Sequence, residues 1–223
     1  MAKVKSIYQC QECGVTSSQW AGQCPGCQAW NTLIESVQAP EPSRGKPHGY
    51  AGSAPERSKL SAIKPERLER LGSGYTEFDR VLGGGFVPGS VILVGGAPGA
   101  GKSTLLLQVT TQLSSQKPCL YVTGEESLEQ IALRAQRLGL AADQLECVSE
   151  TRVEAIAAMV DQLKPALLVV DSVQVMQVES LAGAPGSVGQ VRESAAELTR
   201  LAKARGMIVL LVGHVTKEGA LAG

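Results

Sequence analysis

Beyond residue 90 the apolar residues arrive in short runs separated by stretches of helical spacing. Val91-Ile-Leu-Val, Cys119-Leu-Tyr-Val, Leu167-Leu-Val-Val and Met207-Ile-Val-Leu-Leu-Val are continuous, and Leu145-Glu-Cys-Val148 is a weaker run. Apolar runs of that length, bounded by turn residues, read as strands buried on both faces. Between them, Leu105, Leu106, Val109 and Leu113 mark one helix face, and Leu128, Ile131, Ala135 and Leu138 mark another. Ser127-Leu-Glu-Gln130 and Thr151-Arg-Val-Glu154 are capping-box sequences that open two helices, and Val191 to Arg205 is a further amphipathic stretch. Phe78, Val81 and Leu82, followed by Gly83 to Gly85, predict a short helix packed on the same core. Alternating strands and helices predict an α/β fold, a parallel sheet covered on both faces.

Ahead of residue 67 this patterning stops. Pro40, Pro42, Pro47, Pro55 and Pro65, interleaved with Gly, Ser and charges, predict a flexible linker over 38–66. The linker divides the chain into a small module, 1–37, and a main domain, 67–223, which ends soon after a strand and reads as C-terminally incomplete. Arg44, Lys46, Arg57 and Lys59 in the linker read as solvated charge.

Lys and Arg total 21 and Asp and Glu total 21, so net charge points to no partner class, and a nucleic-acid surface would have to be local. No apolar run is long enough to cross a membrane, and the start, Met1-Ala-Lys-Val-Lys-Ser-Ile-Tyr, lacks the apolar core of a signal peptide. These features predict a cytoplasmic protein with no membrane contact. In a reducing compartment, Cys10-x-x-Cys13 and Cys24-Pro-Gly-Cys27 read as two knuckles offering four thiolates to one structural Zn2+ rather than as disulfides. Trp20 and Trp30 are expected to form an apolar lid over that metal. Cys119 and Cys147 fall in strand runs and read as small core residues.

Gly96-Ala-Pro-Gly-Ala-Gly101-Lys102-Ser103 lies between an apolar strand run and a helical one, the context a P-loop requires. Its glycines let successive backbone N–H groups converge on phosphate oxygens at a helix N-terminus. Gly96, Ala97, Pro98, Gly99, Ala100, Gly101, Lys102, Ser103 and Thr104 are therefore candidate ATP-binding residues. Lys102 is assigned to the β- and γ-phosphates and the Ser103 hydroxyl to Mg2+. The run Leu167-Leu-Val-Val ends at Asp171, a Walker B pattern whose carboxylate would hold Mg2+ through water. Glu125 and Glu126 close another strand, at the sheet edge where α/β proteins bind ligands. Gln177 to Gly189 is a long irregular segment of the kind usually tied to function.

In their order, the P-loop, the strand-end Glu125 and the Walker B Asp171 resemble a RecA-type ATPase core. With the cysteine knuckles, Trp30-Asn31 and Phe78-Asp-Arg-Val-Leu-Gly-Gly-Gly added, the chain resembles the bacterial RadA (Sms) DNA-repair family over nearly its whole length. The resemblance implies a RecA-like P-loop ATPase core preceded by a zinc-knuckle module. It further implies a homo-oligomeric ring, a hexamer at full length, and a DNA-dependent, helicase-like ATPase acting in homologous recombination and repair. The expected partners are single-stranded and branched DNA and the RecA recombinase, with branch migration as the activity. It further implies that Lys102 and Glu125 are catalytic, Glu125 orienting the attacking water with Glu126 its nearest competitor. His214 resembles a sensor of the γ-phosphate, with a satisfied strand-end side chain as the alternative, and 177–189 corresponds to a DNA-facing loop. The family's Lys-Asn-Arg-Phe-Gly motif and its Lon-protease-like domain have no counterpart in these residues, and Ala97 stands where members often carry a polar residue. A different class, an ATP-gated switch or autokinase on the same core, would use the paired carboxylates Glu125 and Glu126 on a protein hydroxyl.

Overall fold

A computed structural model describes residues 5–38, 59–62 and 69–214. Most of the predicted linker, 39–58 and 63–66, lies outside the described residues, as does 215–223.

The N-terminal module is a small antiparallel sheet of β1 (Lys5–Cys10), β2 (Thr16–Ser17) and β3 (Leu33–Gln38), in the order β2-β1-β3. Pairing of Cys10 with Leu33 and of Tyr8 with Glu35 sets the register. Its buried apolar centre consists of Cys10, Cys24 and Leu33, with Tyr8, Cys13 and Ala21 packed around them.

In the main domain α1 (Thr76–Val81) precedes β4 (Val91–Gly96), α2 (Lys102–Ser114), β5 (Cys119–Thr123), α3 (Leu128–Arg137) and β6 (Glu146–Ser149). Then follow α4 (Val153–Leu163), β7 (Leu167–Asp171), α5 (Val188–Arg205) and β8 (Ile208–His214). The five strands pair in parallel in the order β4-β8-β7-β5-β6. Because strand side chains alternate, the sheet has two apolar faces. Tyr121, Val169, Leu210 and Val212 meet Leu106, Val109 and Leu113 of α2 and Ile131 and Ala135 of α3. Leu120, Val122, Leu168, Val170 and Val209 meet Ile156 and Val160 of α4 and Leu198 and Ala202 of α5. The predicted α/β fold, with helices on both faces, is therefore present.

Three local expectations need correction. The capping box predicted at Thr151…Glu154 does not form. Arg152 caps α4 without a side-chain bond, and the Glu150 carboxylate instead accepts from the backbone N–H of Thr151 and Arg152 at 2.9 and 3.0 Å. The bridge between Arg152 and Gln177 brings the chain at 179 alongside α4, so Glu154 accepts from Glu179 N–H at 3.0 Å instead of folding back. The box at Ser127 and Gln130 does form, with both reciprocal bonds. On α1, Phe78 and Leu82 pack against the core while Val81 is 70% exposed. Phe78 and the C-cap residue Leu82, four positions apart, share one face, whereas Val81 is turned about 100° from Leu82 and falls outside it. Finally, Trp20 and Trp30 do not cover the cysteines.

Candidate functional site

Four neighbouring strands, β4, β8, β7 and β5, deliver Gly96, His214, Asp171 and Thr123-Gly124-Glu125 to one edge of the sheet. Gly96 is level with His214 and Thr123 is level with Asp171. β5 hands on to β6 on one side and β7 hands on to β8 on the other, so a crevice opens where the connections diverge. Ligands of open α/β sheets bind in that crevice.

The P-loop occupies one wall. Gly99 and Gly101 sit at φ +79° and +84° with nothing within 4 Å of a would-be Cβ, so backbone conformation, not space, requires glycine there. Gly101 caps α2 with no side-chain bond, leaving the first-turn N–H groups of Ser103 and Thr104 without a side-chain cap. This is the arrangement that binds anions at helix N-termini. Lys102 is 8% exposed, and its Nζ donates to the carbonyls of Gly96 and Ala97 at 2.8 and 2.9 Å. The ammonium is thus held across the loop that Ala97, Pro98 and Ala100 complete.

The two adjacent carboxylates are separated by their partners. Glu126 is taken by Arg134 of α3, with Nη2 2.5 Å from both carboxylate oxygens, and this pair holds the Arg134 guanidinium above its ordinary range. Thr123 Oγ1 donates to Glu126 O at 2.9 Å and accepts from Glu126 N–H at 3.0 Å, closing the turn. Glu125 points the other way: Ser172 Oγ donates to it, and His214 Nε2 lies 3.4 Å from the same Oε1. Gly124 makes this split possible, since a Cβ there would collide with Val175 and lie 2.9 Å from Met176 Cε.

Asp171 is buried, and its Oδ2 accepts a 2.7 Å hydrogen bond from Tyr121 Oη. Burial, then the charge of Asp171, pushes the Tyr121 phenol well above its ordinary range. Tyr121 and Ser172 were not singled out as functional in the sequence. The available signals were a hydroxyl inside an otherwise apolar strand run, and a serine directly after the Walker B aspartate.

The irregular segment 177–187 is pinned by a buried side chain. Gln190 Oε1 accepts from Val178 N–H at 2.8 Å and its Nε2 donates to Leu181 O at 2.7 Å. Gly189 lies against the N-terminal sheet, where a Cβ would sit 3.0 Å from Gln9 Nε2.

In the N-terminal module the two cysteine knuckles repeat one set of bonds. Cys10 N–H donates to Val15 O and Gly14 N–H to Cys10 O; Cys24 N–H donates to Ala29 O and Gln28 N–H to Cys24 O. Gly14 and Gln28 take the same left-handed conformation, at φ +73° and +61°. All four sulfurs, of Cys10, Cys13, Cys24 and Cys27, lie within 4.8 Å of one another. Four convergent thiols on two tight turns fit a tetrahedral Zn2+ with no open position. A Cβ on Gly26 would come 2.6 Å from Val15 Cγ2 and 3.3 Å from Cys13 Sγ, so the second knuckle must be glycine there to approach the first. Leu33, Tyr8 and Ala21 pack with Cys10, Cys13 and Cys24, and the indoles lie outside that cluster. Trp20 and Trp30 flank Gly22 and are 58% and 70% exposed, which overturns the expected lid.

Comparison with known proteins agrees with both sites. The family described as AAA domain matches residues 54–220, and the family described as Rubredoxin metal binding domain matches residues 8–35. Proteins named DNA repair protein RadA align with the whole chain: 54% identical in Escherichia coli, 53% in Pseudomonas aeruginosa and 47% in Bacillus subtilis. The chain belongs to the RadA family. It covers 50%, 49% and 49% of those relatives, so it spans about half their length. ATP with Mg2+ is the cofactor that the RadA AAA domain takes, and Zn2+ is the ion that its ribbon takes. Among the described residues, no helix is long and apolar enough to cross a membrane.

Proposed function

We propose that this chain is the ATP-hydrolysing part of a cytoplasmic DNA-repair protein. The observation that carries this reading is the meeting of the P-loop, Asp171 and Glu125 at one crevice, Glu125 being held by Ser172 and His214 while Glu126 is consumed by Arg134. In this reading Gly96 to Thr104 hold the nucleotide phosphates, with Lys102 neutralising charge on the β- and γ-phosphates. Ser103 and Asp171 hold Mg2+, which supplies charge neutralisation at the transferring phosphate when bound. Glu125, held by Ser172, aligns the attacking water. His214, against Glu125 and level with Gly96, is placed to sense the γ-phosphate. Cys10, Cys13, Cys24 and Cys27 hold the structural zinc.

The relatives' printed name, DNA repair protein RadA, supports a repair role for the whole protein. The finer reading is a DNA-dependent, helicase-like motor that assembles as a hexameric ring and drives branch migration of recombination intermediates on single-stranded DNA with RecA. The segment 177–189 is its DNA-facing loop. The domain division at 1–37, 38–66 and 67–223 belongs to the same reading.

The test is steady-state ATP hydrolysis with and without single-stranded DNA, on this chain and on one extended to the length of the relatives. Stimulation by DNA in the extended chain supports the motor. Tight ATP binding with no stimulation in either chain sinks it. Transfer of γ-phosphate to the protein would then favour the autokinase reading, although the Glu126–Arg134 pair deprives that mechanism of its second carboxylate.

A further inference from the structure

Tyr121 is 1% exposed and lies in the middle of β5, level with Val169. Asp171 is two residues further along β7 on the same face of the sheet. A diagonal neighbour across two strands is within reach of a long aromatic side chain, and the 2.7 Å bond from Tyr121 Oη to Asp171 Oδ2 uses that reach. The apolar packing around the ring would be served equally by phenylalanine: Leu106, Val109, Val169 and Ile131 share its cluster. The hydroxyl must therefore be accounted for separately, because burying it costs free energy unless it is bonded. Among the described residues its hydrogen-bond partner is Asp171.

A carboxylate that binds Mg2+ through water must present one oxygen outward in a fixed orientation. A lone carboxylate at a strand end turns about its Cβ–Cγ bond, and a donor on Oδ2 stops that rotation. We propose that Tyr121 is a positioning residue for Mg2+, its hydroxyl fixing Asp171 so that Oδ1 faces the water shell of the ion. This rests on the reading of Asp171 as the Mg2+ carboxylate.

The experiment is an Mg2+ titration of the binding of a fluorescent ATP analogue to the parent chain, Tyr121→Phe, Asp171→Asn and the double variant. Tyr121→Phe removes one oxygen and keeps the ring. It raises the half-saturating Mg2+ concentration by about tenfold, the scale of losing an outer-shell partner, with Mg2+-free binding of the analogue unchanged. The double variant is no worse than Asp171→Asn. A parental Mg2+ midpoint in Tyr121→Phe, beside a shifted one in Asp171→Asn, overturns the positioning role alone. A parental midpoint in Asp171→Asn overturns the site assignment beneath it. Equal losses with and without Mg2+ in Tyr121→Phe mark the hydroxyl as structural and also overturn the proposal. A readout that does not depend on the phenylalanine variant is 3-fluorotyrosine, resolvable among the 4 tyrosines. Its resonance at position 121 moves when Mg2+ and the analogue bind to the parent and stays still in Asp171→Asn; a stationary resonance in the parent counts against the role.

Discussion

The main domain and the N-terminal module are held together by different physics. In the main domain β5 and β7 are buried along their whole length, between two separate apolar layers. Among the described residues, the module's buried apolar centre has three members, two of them cysteines of the four-thiol cluster. Burial at about 25 cal/mol per Å2 sustains the first, whereas the second has too little area to bury and relies on coordination. Stability and function should consequently be separable: dismantling the module should leave the nucleotide crevice in place, and disabling the crevice should unfold neither part.

Chelating Zn2+ should produce the largest effect. Binding of a structural zinc is worth roughly 10–16 kcal/mol, so the module should lose its near-ultraviolet circular dichroism while the thermal transition of the main domain stays in place. A shared shift of both would break the comparison. Leu168→Ala works from the other side: a fully buried leucine truncated within β7 should cost about 2–5 kcal/mol in chemical unfolding of the main domain, with zinc retention unaltered. Lys102→Ala should lower ATP turnover by about a hundredfold or more, with both parts still folded by circular dichroism. Turnover at the parental rate would mean that the assigned crevice is not the catalytic one.

The smallest effect concerns pH. The Glu150 carboxylate is held down to about 2 by the Arg152 side chain, then by backbone N–H groups of Arg152 and Thr151, with burial opposing. A depressed folded value means that the stabilisation is complete above the ordinary carboxylate range and is lost as pH falls through about 2. Glu150→Gln should therefore flatten the acid limb of the main domain's stability curve between about pH 4.5 and 2, measured by urea unfolding. An unchanged limb would remove Glu150 as the anchor of α4.

Much of this was legible in the sequence because the determinants are local. Continuous apolar runs marked the strands, the glycine spacing marked the P-loop, and paired Cys-x-x-Cys turns marked the knuckles; the run at Val91, however, forms an edge strand, β4, on which Leu93 is exposed rather than buried. What escaped depends on contacts between segments distant in sequence. Glu125 and Glu126 are equivalent on paper, and only the approach of Arg134 on one side and Ser172 on the other distinguishes them. The Thr151 box satisfied the local pattern but lost to the chain passing at 179. Tyr121 looked like one more apolar strand residue because its partner lies 50 positions away.

The exposed indoles carry a practical consequence. Both of the chain's tryptophans, Trp20 and Trp30, belong to the zinc module, and the main domain has none. Intrinsic emission excited at the red edge of the protein band is therefore a private optical channel from the module. It should be red-shifted and open to quenching by iodide, and it should follow zinc loss or partner contact while remaining blind to denaturation of the ATPase fold.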